Sequence, residues 1–236
     1  MVATSGKRLV VYGGTLTATA LPLTAVPPRV PEFPDAEQRN ALTADCRRCS
    51  DLADSRTCIS WGNGPLDADL VVVGEAPAEG DPEAKQWRGG NLTGMAYTSQ
   101  RSGRKIRQVL ADAGFGHEDC YYTNAVKCHP PGNRDPTDAE LANCRPYLVE
   151  EVKTVEPTVV LTTGKHATKT VLALDDTGLD GFLDNVLEPR WSEALNLPVI
   201  PLLHPSYQEV WLSRLGYAYD EYVAAIAETV ASVGDT

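Results

Sequence analysis

Four short apolar runs, each giving way to a polar turn, constrain this chain more than any other feature of it. They are Asp69-Leu70-Val71-Val72-Val73-Gly74, Tyr121 to Val126, Thr158 to Thr163 and Pro198 to Leu203. A continuous β-branched run of this length suits a strand buried on both faces. Helical patterns fill the gaps. Ser102 to Ala113 stops at Gly114, and Thr137-Asp138-Ala139-Glu140 reads as a capping box that opens the next helix. Leu141, Cys144, Leu148, Val152 and Val155 share one face of that helix. Pro146 predicts a kink or a restart within it. Gly164 to Leu174 and Tyr217 to Val233 complete the set. Strands alternating with helices imply an α/β fold, with a parallel sheet covered on both sides.

In such sheets the ligand site lies beyond the carboxyl ends of the strands. The segments that arrive there are Gly74-Glu75-Ala76-Pro77-Ala78, Thr123-Asn124-Ala125-Val126-Lys127-Cys128, Thr162-Thr163-Gly164-Lys165 and His204-Pro205-Ser206. Glu, Asn, Lys and His therefore meet at one rim.

Four of the six cysteines have ligand-like spacing, Cys46-x2-Cys49 and Cys128-x15-Cys144. A CxxC supplies two ligands from one turn, and four thiolates suit an iron–sulfur cluster or a structural zinc ion. The residues alone leave both open. Reduced thiols place the protein in the cytosol. Cys58 and Cys120 read as buried free thiols.

The net charge of −11 argues against a nucleic-acid partner, because duplex affinity rests on neutralising phosphates. The local distribution reverses that. Residues 84–111 hold Lys85, Arg88, Arg101, Arg104, Lys105 and Arg107 with no acid, which leaves −17 on the remainder. Arg101, Arg104 and Lys105 are the candidate phosphate contacts, a cationic patch on an acidic body. Nothing reaches membrane-spanning length, so no membrane partner is expected, and a monomer is the default. Residues 1–40, rich in Thr, Ala and Pro, read as a poorly ordered extension.

The strings VVVGEAPA, YTNAVKCHPPGNRDPTDAELANC followed by PYL, and LLHPS, together with the leading CxxC, resemble the family 4, iron–sulfur branch of the uracil-DNA glycosylases. The similarity covers roughly residues 46–210. The stretch Asn91 to Gly103 and Ala78 resemble family 5 better, whereas Glu75 leans to family 4. The resemblance implies a three-layer α/β/α sandwich on a four-stranded parallel sheet, with a glycosylase domain spanning 41–236. It also implies a [4Fe-4S] cluster on Cys46, Cys49, Cys128 and Cys144. The implied activity is hydrolysis of uracil from single- or double-stranded DNA, leaving an abasic site.

Glu75 and His204 are then the catalytic pair, the first for water and the cationic sugar, the second as donor to uracil O2. Gly74, Ala76, Tyr97 and Asn124 are expected around the base, with Tyr97 where the family's stacking aromatic sits. An amide such as Asn124 can match O4 and N3–H of uracil. Asn133 fits a turn former as well as a base contact. Ser206 is expected near the DNA strand, with Tyr207 as a wedge beside it. A cluster between Cys128 and Cys144 would fix Lys127, His129 and Arg134 near the rim. The rival readings are a catalytically weak iron–sulfur DNA-binding module of the same fold, and a small redox or zinc-stapled protein.

Overall fold

The computed structural model describes residues 30–234. Four parallel strands form the centre of the sheet: β3 (Leu70–Gly74), β4 (Cys120–Asn124), β5 (Val159–Thr163) and β7 (Leu197–Leu202). They are the four runs expected from sequence. Three shorter antiparallel strands extend it, β1 (Arg39–Asn40), β2 (Gly62–Asn63) and β6 (Arg190–Ser192), giving the order β1-β2-β4-β3-β5-β7-β6.

Successive side chains of β3 point to opposite faces, and each face has its own core. Leu70 and Val72 pack with Ile106 and Leu110 of α3 (Gly103–Asp112) and with Ile226 of α7 (Tyr219–Gly234). Val71 and Val73 pack with Leu148 and Val152 of α4 (Asp138–Val155) and Val171 of α5 (Lys165–Leu172). Short helices α1 (Ser50–Ser55), α2 (Gly90–Thr93) and α6 (Gln208–Leu215) line the loops. Among the described residues no helix is long and apolar enough to cross a membrane.

Of the segment expected as an extension, residues 1–29 lie outside the described residues. Residues 30–40 contribute Phe33, edge-on to Trp87 at 5.2 Å, and strand β1.

Helix α4 runs unbroken through Pro146, so the expected restart does not occur. The proline removes one backbone donor, but burial of Cys144, Leu148 and Val152 on one face keeps the helix continuous. Its start is the capping box: Thr137 Oγ1 accepts from the Glu140 amide at 3.3 Å, and Glu140 accepts from the Thr137 amide at 2.8 Å. Arg134 adds two donors to the same carboxylate, at 2.8 and 2.7 Å. The Arg134 hydrogen bond, helped by Thr137 against burial, holds the Glu140 pKa down to about 2. A depressed pKa contributes stability that is present above the unfolded value and lost as pH falls through the folded one. Glu140→Gln is therefore expected to cost ~1–2 kcal/mol at neutral pH, the partly exposed Arg134 keeping the figure modest. Urea unfolding should show the gap from wild type closing as pH drops from 4.5 towards 2.

Candidate functional site

Register decides what meets at the rim. Gly74 pairs with Asn124 at the ends of β3 and β4. The pairing carries on into the loops, where the Ala125 and Val126 amides donate to the carbonyls of Gly74 and Glu75 at 2.7 and 2.9 Å. Above this junction lies a cavity of about 80 Å³ whose walls include Glu75, Ala76, Tyr97, Asn124, Thr163 and His204. A water needs about 10–15 Å³ of such space, so a guest of several heavy atoms fits. A larger hollow of about 430 Å³, lined by Ser55, Glu79, Asn91 and His129 among others, holds neither Glu75 nor His204.

Gly74 makes the cavity floor possible. A β-carbon there would stand 2.4 Å from Asn124 Oδ1 and 2.6 Å from the Tyr97 hydroxyl. Tyr97 is held in the left-handed region at φ 52, a strained conformation for an aromatic residue. Its hydroxyl is 2.5 Å from Thr163 Oγ1, and its ring lies edge-on to Tyr122 at 5.7 Å. Burial pushes its phenol pKa up, so the ring stays neutral.

Asn124 is 5% exposed, yet among the described residues its side-chain amide makes no hydrogen bond; its backbone pairs with β3, and its carbonyl accepts from Lys127 Nζ at 2.6 Å. Neither amide atom is among the solvent-shielded side-chain atoms left without a partner, so the amide is open to the cavity it lines.

His204 follows β7. Its Nδ1 accepts from the Ser206 amide at 3.2 Å, which leaves the proton of a neutral ring on Nε2. Burial, with His166 second, lowers the His204 pKa, so the ring is neutral at physiological pH. Gly164, at φ 88, brings the start of α5 against the imidazole: a β-carbon there would lie 2.9 Å from His204 Cβ. Glu75 is half-buried. Burial raises its carboxyl pKa, His166 opposes the rise and Asp135 adds to it.

His166 and Asp135 were not singled out from sequence. His166 Nδ1 lies 3.6 Å from Glu75 Oε1, and His166 Nε2 lies 3.7 Å from Asp135 Oδ2. The residues after β5 were read only as far as Lys165, one position short. Asp135 could not have been placed, because the loop before α4 meets α5 only in the folded chain.

Other expected residues sit differently. Asn133 does not line the cavity; it is exposed and closes the Pro131–Asn133 turn at φ 60. Arg101 and Arg104 are exposed as expected. Lys105 is engaged by Glu209 at 2.7 Å. Arg107 faces inward, its guanidinium 3.8 Å from the Tyr122 ring centroid and donating to Asn63 Oδ1 at 2.7 Å. The cationic patch is accordingly smaller than the window of six charges suggests. Ser206 is exposed, with its amide used by His204, and Tyr207 beside it is 60% exposed.

Lys127 is not at the rim either. It is 1% exposed, and its ammonium reaches Glu151 Oε2 of α4 at 2.5 Å and Thr123 Oγ1 at 2.7 Å. Glu151 also accepts from the Gly62 amide at 3.0 Å and from Thr123 at 2.6 Å. Two separate segments, Gly62 and Thr123 to Lys127, converge on one buried carboxylate. His129, also buried, has Nδ1 3.0 Å from the Pro77 carbonyl, which ties the cysteine segment to the loop after Glu75.

Cys46, Cys49, Cys128 and Cys144 gather beside one apolar cluster with Leu52, Ile59, Trp61 and Val126. Arg56 Nη1 donates to Cys128 Sγ and Asn143 Nδ2 to Cys49 Sγ, each at 3.3 Å. The Lys127 amide bonds to Cys144. Burial raises the Cys128 pKa, and that of Cys144 to about 11, while these donors pull the other way. Nitrogen donors aimed at sulfur suit thiolates bound to a metal centre.

The family model for the uracil DNA glycosylase superfamily matches residues 61–228. A type-4 uracil-DNA glycosylase of Archaeoglobus fulgidus is 34% identical over 165 residues, 68% of this chain and 76% of that protein. Its counterpart from Thermotoga maritima is 32% identical over 162 residues, 69% of this chain and 77% of that protein. A type-5 uracil-DNA glycosylase of Mycobacterium leprae is 27% identical over 232 residues, 82% of this chain and 95% of that protein.

Proposed function

The chain belongs to the uracil DNA glycosylase superfamily, and from that premise we propose that it hydrolyses the N-glycosidic bond of uracil in DNA and leaves an abasic site. One observation carries the reading. The Glu75 carboxylate and the His204 imidazole border the same small cavity as the unpartnered Asn124 amide.

The base must leave the duplex to enter, at a cost of a few kcal/mol. Packing against Tyr97 offsets part of this, a base–aromatic stack being worth ~1–3 kcal/mol. Asn124 presents an acceptor to N3–H and a donor to O4, the pattern of the uracil edge. Arg101 and Arg104 hold phosphates.

As the bond from C1′ to N1 breaks, its electron pair moves into the uracil ring. The Nε2–H of neutral His204 meets the charge developing on O2, and one well-placed donor contributes ~2.7–4 kcal/mol. Glu75 steadies the cationic sugar and orients the water whose oxygen bonds C1′, taking up its proton.

Cys46, Cys49, Cys128 and Cys144 would hold a [4Fe-4S] cluster. The four cysteines beside one apolar cluster, with nitrogen donors on Cys128 and Cys49, suit a group held by thiolates. When bound, the cluster supplies a structural cross-link. The chain's own residues carry the chemistry.

The test is excision from uracil-containing single- and double-stranded oligonucleotides, with alkali to cleave abasic sites. Scission at uracil, and none at cytosine or thymine, is expected. His204→Ala should lower the rate by ~10²–10³-fold. Tight DNA binding without scission in the wild type would overturn the enzyme reading in favour of a DNA-binding module.

A further inference from the structure

We propose that His166 is a positioning residue: bridging Asp135 and Glu75, it holds the Glu75 carboxylate turned towards the cavity. This rests on the glycosylase reading above.

The geometry is that of a three-member chain. Asp135 Oδ2 faces one ring nitrogen of His166 at 3.7 Å, and Glu75 Oε1 faces the other at 3.6 Å. Both distances are in ion-pair range and a few tenths of an ångström beyond a direct hydrogen bond. A neutral imidazole has one N–H and can satisfy one carboxylate, whereas an imidazolium has two and matches both. Two acids on opposite ring nitrogens make His166 the link between the loop after β3 and the loop before α4. His166 itself does not line the cavity; of the residues that do, Glu75 is the one it meets in ion-pair range.

The groups facing His166 are Glu75 from the loop after β3, Asp135 from the loop before α4 and His204 from the loop after β7. Its own helix adds Lys165 and Lys169, both exposed. Glu75 is the member that needs help. It must be a carboxylate to act on water, and its partial burial favours the protonated acid. Of its two charged neighbours, His166 opposes that tendency and Asp135 reinforces it. Removing the imidazole should therefore protonate Glu75 at a higher pH than in the wild type.

Single-turnover excision measured across the acid range tests this. His166→Ala is expected to lower kcat about tenfold, less than loss of a general base itself, with KM unchanged and the acid limb moved to higher pH. His166→Asn, whose amide still donates towards Glu75, should recover part of the rate. Adding His166→Ala to Glu75→Gln should cost nothing further, since both act through one carboxylate. An unmoved acid limb in His166→Ala, or losses that multiply in the double variant, would overturn the proposal.

A second measurement stands apart from activity. His166 is one of four histidines, so its ring-nitrogen resonances can be followed in labelled full-length protein. They should shift in both Glu75→Gln and Asp135→Asn while those of His117 stay in place. A wild type inactive on uracil would sink the glycosylase reading alone if these shifts occur. Unchanged His166 resonances in both variants would sink the bridge whatever the activity.

Discussion

Glu75→Gln is expected to lower the single-turnover rate of uracil excision by ~10²–10⁴-fold, the range general-base catalysis supplies. DNA affinity should stay near wild type, because the amide keeps the shape of the side chain and Glu75 is not among the phosphate-binding cations. The pH profile is the sharper readout. Burial, the largest cause, raises the Glu75 pKa above its ordinary value of 4.5, His166 opposes the rise and Asp135 adds to it. A raised carboxyl pKa means that the active carboxylate is lost early as pH falls, so the wild-type rate should drop through a midpoint above 4.5. His204 does not produce this limb. Its pKa is lowered, first by burial, and its ring carries a proton on Nε2 in both the neutral and the protonated form. Glu75→Gln should abolish the acid limb together with most of the rate. Retention of both would remove Glu75 from the mechanism.

The second large effect is on stability. Lys127→Met leaves Glu151 at 0% exposure with no counter-charge, and breaking one side of a buried pair typically costs ~3–5 kcal/mol. Urea unfolding should register the loss as a lower midpoint with the slope unchanged. Replacing both partners, as Lys127→Met with Glu151→Leu, should recover much of it, because no buried charge is then stranded. The Gly62 and Thr123 donors to Glu151 would still lose their acceptor, so recovery should be partial. If the double variant is as unstable as the single one, those donors and not the ion pair dominate this junction.

The four central strands were legible because burial on both faces leaves a continuous, mostly apolar run, as in Leu70 to Val73. Strands β1, β2 and β6 were not, since two or three residues are too few to show any period. Helix α6 escaped for a related reason: only Gln208 and Leu212 of its eight residues are buried, so it has hardly any apolar face. Glu75, Asn124 and His204 could be read because each lies at or within two residues of the end of a central strand, and strand ends converge. Lys127 and Arg107 were misread by one shared assumption, that a charge seeks solvent. The partner of Lys127 is Glu151, 24 residues along the chain, and Arg107 finds the ring of Tyr122 and the amide of Asn63. Local sequence holds no trace of such pairings. The contacts of His166 with Glu75 and Asp135 belong to the same class.

The sheet ends at both rims in very short strands, Arg39–Asn40 on one side and Arg190–Ser192 on the other. A rim of unpaired amides and carbonyls is a template on which a neighbouring molecule can zip, and the hazard grows with its length and flatness. Two or three residues give such a graft little to hold. The protein should therefore resist edge-to-edge aggregation in concentrated solution, even though its central strands are apolar enough to seed it.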